Sequence, residues 1–126
     1  MKIRDYQGKD FDRIWRFHSE AKFDFQMPDL NNNLVKIRKC LIDEVGIVRM
    51  AAFGRLQANA YLLIDGTWKS PEERLEAIAI LEFAMIQEAK ILGLDQATAQ
   101  VEPRFGQRLK NFGWNKSLGE TWHKEF

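Results

Sequence analysis

The chain has 126 residues, 45% hydrophobic and 29% charged, with a net charge of +1. That length suits a single domain spanning 1–126, and the balance excludes a disordered chain. No basic excess points to nucleic acid, no apolar run approaches ~18 residues, and the opening MKIRDYQGKD carries no signal region. The expectation is a soluble, cytoplasmic protein without nucleic-acid or membrane partners.

The one cysteine, Cys40, has no partner for an internal disulfide and no metal-ligand spacing around it. As a nucleophile it needs His18 or His123 beside it; the plainer reading is a buried thiol. Two histidines this far apart give no metal site. The basic residues, among them Arg13, Arg16, Lys36, Arg38, Arg104 and Arg108, are dispersed as on a solvated surface.

In chain order, MKIRDY reads as a short edge strand. In KDFDRIWRFHSEAKFDF, apolar side chains Phe11, Ile14, Trp15, Phe17 and Ala21 recur at helical spacing, with Asp10 as candidate N-cap. Gln26-Met27-Pro28-Asp29 ends that helix. NNNLVKIRK (31–39) is expected to form a second, short helix. Three strands follow, KCLID (39–43), IVRMAAFGRL (47–56) and NAYLLID (59–65), joined by turns at 44–46 and 56–59 into an antiparallel meander. Asp65-Gly66 ends it. A long helix runs over 70–92, its stripe built from Leu75, Ile78, Leu81, Met85, Ala89 and Leu92, with Gly93 closing it. DQATAQVEP (95–103) is a strand, FGQRLKNFGW (105–114) a short helix closed by Gly113, and GETWHKEF (119–126) a last strand. The order β-α-α-β-β-β-α-β-α-β defines an α+β chain, a mostly antiparallel sheet flanked by helices.

The helix start TWKSPEERLEAIAIL (67–81) carries the sharpest local signal. Ser70 can cap the N–H of Glu73, Glu73 can answer to the N–H of Ser70, and Pro71 suits the first helical position. Glu72 and Glu73 favour the positive end of the helix dipole.

This element order resembles the GCN5-related N-acetyltransferase (GNAT) superfamily over nearly the whole chain. KIRDYQGKDFDRIW resembles its first strand and helix, often I-R-x-a-x-x-x-D-x-x-x-I. CLIDEVGIVRMAAFGRL resembles its second and third strands, NAYLLIDGTWKS its fourth strand and acyl-CoA loop, and VEPRFGQRLKNFGW its late helix. The W-x-S-P-E-x-R start is similar to that of short phage-encoded acetyltransferase-like proteins.

The resemblance implies acetyl-CoA as co-substrate, with Leu62, Leu63 and Ile64 lining its pantetheine arm. Trp68, Lys69, Ser70 and Arg74 would surround the pyrophosphate at the helix start, where the family has Q/R-x-x-G-x-G/A. Here the two small residues are replaced by Glu72 and Arg74. A capped helix start works against an anion: Ser70 occupies donors, Pro71 has none, two carboxylates repel, and no glycine allows close approach. Lys69 and Arg74 offset some of that. The motif therefore reads as a cap, a modified phosphate site, or both. Matching Gly113-Trp114 to the family's G-F puts Leu109 at its tyrosine, the usual general acid, and Glu102 at its asparagine.

Glu102 is the candidate catalytic base, accepting a proton from the acceptor amine. His18, Asp24 and Asp29 are candidates for binding a cationic amine. Two functions follow. One is an N-acetyltransferase acting on a small-molecule or protein amine. The other is a GNAT-like module without catalysis, for assembly or host interaction in a phage, whose degenerate loop and short tail favour a homodimer.

Overall fold

The computed structural model describes residues 1–126. The chain is α+β, with five strands and three α-helices. It gathers into two compact units: Met1–Leu56 with Ser117–Phe126, and Gln57–Lys116.

The first unit contains β1 (Lys2–Asp5), α1 (Phe11–Ala21), β2 (Val35–Ile42) and β3 (Val48–Arg55). The three strands form one antiparallel sheet in the order β1-β2-β3, with Arg4 opposite Cys40 and Cys40 opposite Ala51. Ile14 of α1 packs on Cys40 and Val48, and Tyr6, Phe17, Met27, Ile42 and Phe53 surround them. Arg13 Nε donates to the Val48 carbonyl at 2.5 Å and ties α1 to β3. The hairpin between β2 and β3 is organised by Asp43. Its carboxylate accepts from the N–H groups of Val45 and Ile47 at 3.1 and 2.9 Å and from Arg49 Nε at 2.8 Å, while Gly46 takes a φ of +86°. The bond from Ile47, followed by that from Arg49, holds the Asp43 carboxyl below the usual carboxylate range.

Asp10 precedes α1 as expected, but its carboxylate does not cap that helix. It faces inward, 5% exposed, and grips Arg4 through two bonds of 2.7 and 2.8 Å. The Gln7 N–H donates to it at 2.9 Å. This forked, charge-assisted pair with Arg4, reinforced by the Gln7 bond, lowers the Asp10 carboxyl to about 2.

Four expected elements differ, one of them the strand over 95–103, which shortens to Ala97–Ala99 and yields Pro103 to a helix. Residues 31–39 form no helix. Asp29 Oδ1 accepts from Asn31 N at 3.0 Å and Asn32 Oδ1 from Leu34 N at 2.8 Å, so side chains take the donors a helix would use. The alternation from Val35 then makes β2 start four residues before the expected strand. The expected strand over 59–65 shrinks to β4 (Ala58–Ala60), which pairs in parallel with β5 (Ala97–Ala99) rather than extending a meander. Residues 119–126 form no strand.

The second unit is built from β4, the long helix α2 (Pro71–Ile91), β5 and the short helix α3 (Pro103–Leu109), continued by a 3-10 turn at Lys110–Phe112. A helix between two parallel strands is the crossover that parallel pairing requires. Ser70 caps α2, accepting from Glu73 N at 3.1 Å, but the expected reciprocal bond from the Ser70 N–H does not form, because the Glu73 carboxylate accepts from the Ser70 hydroxyl instead. Gly93, at φ +81°, closes it, its N–H donating to the Lys90 carbonyl at 2.9 Å. No helix is long and apolar enough to cross a membrane.

Candidate functional site

Alanines flank both strands of the parallel ladder, with Ala58 opposite Ala97, Asn59 opposite Thr98 and Ala60 opposite Ala99. The ladder stops there, so the backbone of Tyr61, Leu62, Gln100 and Val101 leaves sheet pairing. At this carboxyl end of the two strands lies a partly open cavity of about 220 Å³. Such strand ends are where open parallel sheets accept ligands. Ile78, Leu81 and Met85 of α2 form one wall, and Phe105 and Leu109 of α3 form another. Trp114 also lines the cavity, and its indole N–H donates to Glu82 Oε1 at 2.7 Å, fixing the ring against α2.

A second cleft, about 310 Å³, lies between the first turn of α2 and the end of α3. Pro71, Glu72, Leu75, Arg108 and Asn111 line it, and Phe112 borders both spaces.

The segment before α2 satisfies its own polar groups. Asp65 Oδ1 accepts from Thr67 N at 2.9 Å and Thr67 Oγ1 at 2.6 Å, and these bonds keep the Asp65 carboxyl below its ordinary range. Trp68 N donates to the Asp65 carbonyl at 3.2 Å. Lys69 takes a left-handed φ of +54°, a costly conformation for a side chain of this kind. Arg74 Nη1 compensates by donating to the Trp68 and Lys69 carbonyls at 3.0 and 2.8 Å. The Glu73 carboxylate accepts from the Ser70 hydroxyl at 3.2 Å and pairs with Lys69 Nζ at 3.4 Å. The helix start is thus closed on itself.

Of the residues singled out in sequence, Leu62 lines the apolar cavity. Leu63 is 93% exposed, and Ile64 and Trp68 are about half exposed. Lys69, Ser70 and Arg74 belong to the closed segment. Glu102 holds the N-cap position of α3, where its carbonyl accepts from Gly106 N at 2.9 Å and its carboxylate remains exposed. Val101 before it and Phe105 after it line the cavity, and Glu102 itself does not. Among the candidate amine binders, His18 Nε2 donates to the Phe25 carbonyl at 2.7 Å within a ring cluster of Trp15, Phe23 and Phe25. Asp29 holds the turn described above. Cys40 is 1% exposed, with its Sγ 4.0 Å from Asp10 Oδ2. Burial, then the Asp10 charge, pushes the thiol up, so it stays protonated at neutral pH and is not a nucleophile.

Met85, Phe105, Phe112 and Trp114 line the cavity and are not singled out by sequence as site residues. Their apolar spacing on two helices was visible; that the helices stand apart around a space was not.

No family model, curated protein or solved structure matches this chain.

Proposed function

We propose that the protein is an acyl-CoA-dependent N-acyltransferase that moves an acetyl group from acetyl-CoA to an amine. The observation that carries this reading is the apolar cavity at the carboxyl ends of β4 and β5, where the two parallel strands leave their ladder. Backbone released from a ladder offers donors and acceptors to an amide-containing arm, and Leu62 supplies apolar wall beside it. The Ile3-Arg4 to Asp10 pattern behind the family resemblance has a physical role here, as the forked ion pair joining β1 to the start of α1.

The reaction follows simply. A neutral amine attacks the thioester carbonyl, the C–N bond forms, the C–S bond breaks and the thiolate leaves. Glu102, at the start of α3 and next to the lining residue Val101, takes the amine's proton directly or through water. The thiolate is a good leaving group, so Leu109 at the family's tyrosine position does not prevent transfer. Positioning of amine against thioester supplies most of the acceleration.

The donor's two ends fit unequally. The acyl end meets an apolar space. The pyrophosphate end meets a helix start whose Ser70 cap, Glu73 carboxylate and Arg74 are already engaged, while Pro71 has no N–H to offer and Glu72 adds a second carboxylate. That closed start favours a second reading, a binding module of GNAT type without catalysis. Calorimetric titration with acetyl-CoA separates the two. A Kd below about 1 mM, abolished by Leu62→Glu, supports the transferase. No heat at millimolar ligand leaves the module.

A further inference from the structure

The apolar cavity has room for more than an acetyl group. A cavity of about 150 Å³ lined by aliphatic and aromatic side chains stays dry and takes a six-carbon ring. The space here is about 220 Å³, which at the same filling holds roughly six to nine carbons. Its walls offer little to a polar guest. Glu82 is the carboxylate among them, and it is engaged by the Trp114 indole. A free fatty acid would bring a second carboxylate towards Glu82, whereas an uncharged thioester brings none.

We propose that this cavity is an acyl-chain site and that the donor is a medium-chain acyl thioester of about six to nine carbons. This rests on the acyltransferase reading above for the word donor, and on the cavity alone for the chain. The amides of the arm lie at the released strand ends beside the cavity, and the closed start of α2 gives the pyrophosphate no cradle. The acyl chain therefore carries much of the affinity that a phosphate cradle would otherwise supply.

Each buried methylene strengthens binding by about fourfold at most. The test is calorimetry with acetyl-CoA, octanoyl-CoA and 1-octanol, read together with the Met85 methyl resonance, which Met85→Leu identifies. Octanoyl-CoA is expected to bind at least tenfold tighter than acetyl-CoA, and 1-octanol to shift the Met85 methyl and compete with octanoyl-CoA. Ala99→Leu, which fills the cavity, should remove the octanoyl preference, and Leu109→Ala, which enlarges it, should move the preference to longer chains. Equal affinity for acetyl- and octanoyl-CoA overturns the chain site and leaves the acyltransferase reading standing. Binding of 1-octanol with no binding of either thioester supports the chain site and removes the acyltransferase. No shift of Met85 with 1-octanol and no octanoyl-CoA binding overturn both.

Discussion

The two units differ in what their apolar side chains enclose. In the first, Ile14, Leu30, Val35, Cys40 and Val48 are buried, and so is Asp10. In the second, the 21 residues of α2 include none that is fully buried, and Ile78, Leu81 and Met85 face a space instead of a neighbour. The polar groups follow the same division. Asp10 in the first unit is matched by Arg4 and Gln7 and anchors a core. Glu102 in the second lies exposed beside a cavity. A close-packed region gains stability from contact, whereas a region that must admit a ligand gives some of that contact up.

The largest expected effect would break the first side of this comparison. Arg4→Met leaves the inward-facing Asp10 carboxylate without its cation, and should lower the urea midpoint by more than Ser70→Ala does. An unchanged midpoint would mean that the pair does not anchor the first unit.

The same pair sets an acid limit. The Asp10 carboxyl falls from 3.8 to about 2 in the folded chain. A depressed carboxyl stabilises above its unfolded value and loses that contribution as pH falls through the folded value. Stability should therefore decline between about pH 4 and pH 2, and Asp10→Asn should flatten that part of the profile. An unchanged slope in the variant would assign the acid transition to other carboxylates.

The helix start sharpens the other side. Ser70→Ala should cost about 1 kcal/mol by removing the cap on Glu73 N. The smallest effect is expected from Arg74→Ala in acyl-CoA titrations. Because Arg74 holds the Trp68 and Lys69 carbonyls, its removal should change the affinity by less than about threefold. A tenfold loss would mean that the guanidinium leaves those carbonyls to hold a phosphate.

Local rules made some of this readable in sequence. Ser70-Pro71-Glu72-Glu73 announced the start of α2, Gly93 its end, and the helical spacing around Ile14 the inner face of α1. What local rules missed depended on long-range pairing or on which of two hydrogen-bonding partners wins. Asp29 and Asn32 turned the Asn-rich segment into turns, and Val35 then joined a strand already bordered by β1 and β3. The apolar run at 61–64 has the composition of a strand, yet the ladder with β5 ends at Ala60. Leu62 enters only through the resemblance, together with Leu63 and Ile64, and of the three it alone lines the cavity. The cavity it lines comes from α2 and α3 standing apart at the strand ends, and no spacing of residues encodes that distance.

Octanoyl-CoA titrated into the 15N-labelled chain and followed by amide and indole shifts decides whether the cavity of the second unit is the ligand site. Saturable shifts are expected at Leu62, Leu109 and the Trp114 indole, with the amides of Arg4, Asp10 and Cys40 unmoved. Shifts centred on the first unit, or none at millimolar ligand, would contradict that assignment.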